Sequence, residues 1–263
     1  MNDAITFRAV DPGIPPVKDG LAGIIREKDY RHGRIRYLAT DYGVGAMIGR
    51  YGEYFEGEVA VMRRLVKPGD TVVSAGGNIG VHLIPLSKMV GESGMVYTSE
   101  PQEFIRENLL EPNLAMNGCR NVIVNPSALG EDFGTAHLPR IDYAAPNNFG
   151  GMEIREQGQV EVRVIPLDAV ELAQCSLLML DVEGYELAVL KGARSTIARC
   201  RPYLYFEIDR EDKREPLLHY VHDELGYEVL YHTPLAFRPD NFAGEKENVY
   251  GNIGSIMCLA VPR

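Results

Sequence analysis

The chain has no tryptophan and only four cysteines among its 263 residues. Cys119, Cys175, Cys200 and Cys258 are scattered without a CxxC pair. That excludes a zinc ribbon or a disulfide framework and points to buried thiols in a reducing compartment. No apolar run approaches the roughly 18 residues needed to cross a bilayer, so no membrane association is expected. Positive charge is scarce: 27 Lys and Arg against 37 Asp and Glu leave a formal net charge of −10. A broad nucleic-acid surface is therefore not expected. "NDAITFRAVDPG" after Met1 lacks the basic and apolar regions of a secretion signal, and a cytoplasmic protein is the expectation. What remains is ordinary globular material, 45% hydrophobic and 24% charged. Its length suits one large α/β domain with a short appendage.

Residues 1–50 read as an N-terminal extension. A proline- and glycine-rich arm to about Asp19 is followed by "RIRYLAT" and "VGAMIG", which read as two strands turning at Asp41-Tyr42-Gly43. Residues 51–263 read as the main domain. Phe55, Val59, Met62, Leu65 and Val66 recur at helical spacing before Pro68-Gly69-Asp70 stops them. Apolar strands then alternate with amphipathic helices: "TVVSA", "GMVYTSE", "NVIVNPSAL", "SLLMLDVEG" and "PYLYFEID", with "YEVLYHT" and "GSIMCLAV" last. A polar insert covers about 131–159, and "VEVRVIPLDAV" returns to strand character. Such alternation predicts a doubly wound, mostly parallel seven-stranded sheet covered on both faces. Ligands of such sheets bind outside the carboxyl ends of the strands. The last strands leave an edge on which a second copy can pair, so a homo-oligomer is one expectation.

"TVVSAGGNIGVH" (Thr71–His82) is a strand running into a glycine turn and a helix. Glycines let the backbone tighten and approach a ligand, and the helix start offers free N–H groups. A plain strand-to-helix turn needs about one glycine; this one has three. Glu100 ends the next strand about 20 residues on, where a carboxylate can accept both ribose hydroxyls. Turn and acid together point to a cofactor with an unphosphorylated ribose.

At these residues the chain resembles the FkbM-like family of S-adenosylmethionine (SAM) dependent methyltransferases, which have a class I, Rossmann-like fold. "SAGGNIG" (Ser74–Gly80) is similar to the family's "DVGANIG", and Glu100-Pro101 to its acid-proline pair. "DVEGYE" (Asp181–Glu186) matches the family's fourth-strand motif without gaps; "NFGG", "VLKGA" and "RPYLYFE" look like its continuation. The resemblance covers about Tyr54 to Asp209 and implies SAM as cofactor. It implies that Gly76, Asn78 and Gly80 cradle the methionine half, Glu100 holds the ribose, and Ser127-Ala128 flank the adenine. Ser74 departs from the family's aspartate and can hydrogen-bond but carries no charge. Glu58 or Asp181 is then the acid expected to meet the cofactor's amino-acid end.

Asp181 and Glu183 sit at the mouth of the fourth strand, where methyl group and acceptor should meet. A carboxylate there can orient or deprotonate a hydroxyl; the bland alternative is electrostatic capping of the next helix. His82, after the glycine turn, is a further candidate base, although such a histidine more often simply packs. Glu207 is a third acid on the same rim, read as substrate-side or merely solvated. Asp181, Glu183 and Glu207 offer the oxygens magnesium takes, but nothing in their spacing requires an ion and no metal is expected. His219 and His222 share a helix face without a third ligand, and His137 falls in the insert. That insert is the natural substrate lid. Its Tyr143, Asn147, Asn148 and Phe149 suit a polar small-molecule or glycan acceptor.

Three functions follow for comparison. The first is a SAM-dependent O-methyltransferase acting on a hydroxyl of a small molecule, sugar or natural product, as the resemblance implies. The second is an NAD-dependent oxidoreductase, whose G-x-G-x-x-G fingerprint would want glycine at Ala75 and which leaves "LDVEGYE" idle. The third is a non-catalytic binding protein on the same fold, for which Ser74 argues.

Overall fold

The computed structural model describes residues 8–11, 13–18 and 20–263. Part of the N-terminal arm (1–7, 12 and 19) lies outside the described residues. The elements run β1 (Arg8–Ala9), β2 (Ile25–Tyr30), β3 (Gly33–Leu38), α1 (Val44–Tyr51), α2 (Glu56–Leu65), β4 (Thr71–Ala75), α3 (Leu83–Val90) and β5 (Met95–Ser99). Then come α4 (Glu103–Ile105), a π-helical stretch (Arg106–Leu110), α5 (Glu111–Met116), β6 (Val122–Asn125), β7 (Ala128–Leu129), β8 (Gly134–Leu138) and β9 (Val160–Ile165). After a short 3-10 turn (Leu167–Val170) follow β10 (Leu177–Leu180), α6 (Glu186–Lys191), α7 (Arg194–Cys200), β11 (Tyr203–Glu207), α8 (Glu211–His219), a second π-helical stretch (Tyr220–Glu224), β12 (Tyr227–His232) and β13 (Met257–Pro262).

The main sheet has the order β1-β6-β5-β4-β10-β11-β13-β12. Strands β6 to β11 in that order are parallel, and β13 inserts antiparallel between β11 and β12. Seven strands make the expected mixed sheet. The eighth, β1, is the arm itself, paired with Val124 and Ile123 at the edge. Successive strand residues feed opposite layers, because side chains alternate across a pleated strand. Val72, Leu177, Met179 and Tyr205 enter the core under α3 and α5; Val73, Leu178, Leu180, Leu204 and Phe206 enter the one under α6 to α8. Each fully buried leucine contributes about 2 kcal/mol. This double burial is why the strands read as unbroken apolar runs.

The N-terminal hairpin is displaced from its expected place. Its strands are β2 and β3, turning at Arg31-His32, while "VGAMIG" is the helix α1. The reason is spacing: Val44, Met47, Ile48 and Tyr51 form one helical face and are all buried. Gly45 lets that helix approach β3, since a Cβ there would stand 2.3 Å from the Leu38 carbonyl. The hairpin joins the main core through Ile25, Tyr30, Ile35 and Leu38. Asn113 of α5 pins it, accepting from the Arg36 N–H (2.6 Å) and donating to the carbonyls of Arg36 (2.9 Å) and Ile79 (2.7 Å). The insert carries a strand of its own, β8: β9 pairs with β7 on one side and with β8 on the other, forming a separate three-stranded sheet. No helix among the described residues is long and apolar enough to cross a membrane.

Candidate active site

Strand order reverses at β4, which has β5 on one side and β10 on the other. Parallel strands diverge at such a point and leave a crevice at their carboxyl ends. The glycine turn leaves β4 there, and Asp181 leaves β10. The two backbones nearly touch: a Cβ on Gly76, whose φ is +87°, would lie 2.1 Å from the Asp181 carbonyl. Only glycine serves at this position.

A narrow cleft, with about 60 Å³ of open space, runs from this point along the end of β5. Gly76, Asn78, Glu100 and Asp181 line its polar end; Pro101, Ala128, Leu129, Leu138, Met152 and Ile154 line its apolar end. Glu100 is buried and fixed by two backbone donors. The Asn78 N–H reaches Oε2 at 2.8 Å and the Gln102 N–H reaches Oε1 at 2.9 Å. Each oxygen keeps lone pairs for a further donor. Burial pushes the Glu100 carboxyl up to about 7, against the opposing pull of those N–H groups.

A wider cavity of about 390 Å³ opens on the other side of the same wall, and Asn78, Gly150, Asp181 and Glu183 face both spaces. Its further lining comes from α1 (Val44, Met47), the start of α2 (Tyr54, Phe55, Glu58), the end of β11 (Glu207, Asp209, Arg210) and the long β12–β13 connection (Ala236, Tyr250, Ile253, Ser255). Three wall residues, Phe55, Asn78 and Glu183, hold positive φ without being glycine. Such strain gathers where surrounding structure enforces a geometry. Arg210 Nη2 donates to Glu183 Oε2 at 2.7 Å, and Ser255 Oγ donates to Glu207 Oε1 at 2.9 Å. One carboxylate oxygen each from Asp181, Glu183 and Glu207 lies within 4.8 Å of the others. Crowding and burial push these acids up: Glu58 to about 8, Glu207 to about 9, and Asp181 well above the usual carboxylate range.

The sequence candidates are distributed unevenly over this geometry. Gly76, Asn78, Glu100, Ala128 and Asp181 line the cleft. Ser74, Ser127 and Gly80 line neither space, and the Ser74 side chain is buried in β4 with 2% exposure. Glu58 faces the wide cavity instead of the cleft. His82 stands behind it: buried, against the Tyr54 ring, with Nε2 unpaired and 3.8 Å from Glu58 Oε2. Burial lowers its imidazole to about 3, so it is neutral and outside the cavity. Asn148 and Glu207 do line the cavity. Tyr143 and Phe149 line neither space: Tyr143 stacks on Phe104 at 4.0 Å, and the Phe149 carbonyl accepts from Gln102 Nε2 at 3.0 Å.

Glu186 takes the capping role weighed for "DVEGYE", accepting from the N–H groups of Val182 and Gly184. That leaves Asp181 and Glu183 to the cavities. His219 and His222 both pair with the exposed Asp223 at 2.7 Å, a solvated helix face. His137 lies in β8, away from both spaces. Sequence reasoning missed Gln102, Met152 and Ile154, which adjoin motifs it used, Ser255, which lies in the "GSIMCLAV" segment read only as a strand, and Tyr250, which adjoins no motif.

Residues 74–231 match the model of the methyltransferase FkbM domain, well over half of the chain. No curated protein matches. Similar solved structures include methyltransferase FkbM from Methylobacillus flagellatus KT, 15% identical with a TM-score of 0.48, covering 76% of this chain and 50% of that one. This chain thus spans half the length of that relative. A SAM-dependent O-methyltransferase from Thermotoga maritima is 15% identical with a TM-score of 0.48, covering 90% and 78%. A putative rRNA-methylase from Clostridium thermocellum is 12% identical with a TM-score of 0.48, covering 80% and 97%. Likenesses this distant say nothing of acceptor or chemistry.

Proposed function

The chain belongs to the FkbM methyltransferase family, and from that premise we propose that it uses S-adenosylmethionine to methylate a hydroxyl oxygen of a small polar acceptor, of the sugar or natural-product kind. The observation that carries this reading is the shared wall: cleft and cavity meet at Asn78, Gly150, Asp181 and Glu183.

The donor set fits the cofactor. Glu100 retains acceptor capacity for ribose hydroxyls, and the apolar end of the cleft suits an adenine ring. When bound, SAM supplies an electrophilic methyl on a sulfonium. Asp181 lies at the junction and meets no hydrogen-bond donor among the described residues, so its carboxylate is available to an acceptor hydroxyl. With SAM bound, Asp181 would orient the acceptor hydroxyl and take its proton as that oxygen receives the methyl group. Its raised affinity for a proton suits a general base. Holding the oxygen in line is the larger contribution, for which fixed walls are the requirement.

The test is methyl-labelled SAM with a panel of sugars and polyols, the product position being read by NMR. Label on oxygen, lost in Asp181→Asn, supports the reading. Label on nitrogen or carbon, or full activity in Asp181→Asn, contradicts it.

A further inference from the structure

The wide cavity gathers more acidic groups than methyl transfer needs. Five carboxyl groups line it, from Glu58, Asp181, Glu183, Glu207 and Asp209, against one basic side chain, Arg210. Three of the five have partners of their own. Glu183 holds Arg210, Glu207 accepts from Ser255, and Asp209 accepts the Ile256 N–H at 2.7 Å. Glu58 has none: its side chain is only 4% exposed, and among the described residues its carboxylate accepts no hydrogen bond. The nearby His82 is neutral and 3.8 Å away. A buried carboxyl facing an open cavity without a donor costs free energy unless an occupant supplies one.

The shape of the cavity bears on what that occupant is. Its walls add Tyr54, Phe55, Tyr250 and Met47 to the acids, faces suited to the apolar side of a ring and to a cation. Glu58 stands outside the trio of acids whose oxygens approach one another, Asp181, Glu183 and Glu207. A lone ion within that trio would leave Glu58 unsatisfied. An organic molecule long enough to reach both Glu58 and Asp181 satisfies each.

We propose that the methyl acceptor is an amine-bearing polyol, of the amino-sugar or aminocyclitol class, whose ammonium is held by Glu58 with Glu207 and Asp209 while a hydroxyl lies at Asp181. This rests on the O-methyltransferase reading above and names its substrate class. The charged end is a handle and does not react; the methyl goes to the hydroxyl at the junction.

The experiment uses the full chain saturated with S-adenosylhomocysteine. Binding of glucosamine, N-acetylglucosamine and glucose is followed by NMR of the Met47 methyl, with Mg²⁺ as a fourth probe. Glucosamine is expected to bind at least ten times more tightly than either neutral sugar. Glu58→Gln is expected to remove most of that advantage while leaving S-adenosylhomocysteine affinity within twofold. Glu207→Gln, checked by thermal melting, is the second variant should Glu58→Gln fail to fold. Equal binding of the three sugars, binding of none, or a Mg²⁺ response without an amine response overturns the proposal. If S-adenosylhomocysteine itself does not bind, the methyltransferase site falls too; if it binds with no amine preference, only this inference falls.

Discussion

The cofactor cleft and the acidic cavity share a wall yet are built by different means. The cleft is made of backbone: a glycine turn, two N–H groups clamping Glu100, and strand ends held by the sheet. The cavity is made of side chains brought from the neighbouring α1 and α2, from β11 and from the late β12–β13 connection, three stretches far apart in the chain. Backbone-built sites leave motifs, since only certain residues take the needed conformation. Side-chain-built sites leave composition, which several sequences can supply.

The largest expected effect falls on the backbone side. Gly76→Ala puts a Cβ 2.1 Å from a carbonyl oxygen at a φ of +87°, and a loss of more than about 3 kcal/mol is expected. Urea denaturation measures it; a near-neutral result would mean that the β4–β10 approach is not tight. Ser74→Asp comes next, with an expected cost of about 3 kcal/mol from an unpaired buried carboxylate. It restores the family's acid, so a rise in S-adenosylhomocysteine affinity without loss of stability would show that Ser74 does face the cofactor.

Glu100→Gln keeps the shape but weakens the acceptor, and about a tenfold loss of S-adenosylhomocysteine affinity is expected by calorimetry, near the 1.5 kcal/mol of a charged hydrogen bond. Unchanged affinity would move the ribose elsewhere. An effect of similar size, on the pH dependence of stability, belongs to Glu58. Burial raises its carboxyl from 4.5 to about 8, so between those values the folded, empty protein holds a proton that the unfolded chain has lost. Stability therefore falls as pH rises through that window. Glu58→Gln, neutral throughout, is expected to flatten the fall and to be more stable by about 1–2 kcal/mol near pH 8. Parallel pH–stability curves for the two proteins would contradict this.

The sheet, the glycine turn, Glu100 and "DVEGYE" were legible in the sequence because each is tied to a backbone requirement. The N-terminal hairpin was not. "VGAMIG" is short and apolar, and periodicity alone does not separate a strand from a buried helix at that length. His82 looked like a base from its place after the glycine turn, but the first turn of α3 carries it behind Glu58, into the wall. Glu58 was offered as the acid that makes up for Ser74 at the cofactor, whereas α2 points it into the wide cavity. Tyr250 could not be found, since its loop has no pattern, and Ser255 was read only as part of the last strand, "GSIMCLAV", without a role at the site.

On the proposed reading, one wall ending in Asp181 separates the methyl donor from its acceptor. A crystal structure of the S-adenosylhomocysteine complex tests it most directly. The expected result places the ribose at Glu100, the adenine against Leu129 and Met152, and the sulfur facing Asp181 and the acidic cavity. A product molecule bound with its sulfur turned from that cavity, or bound outside the cleft, would contradict it.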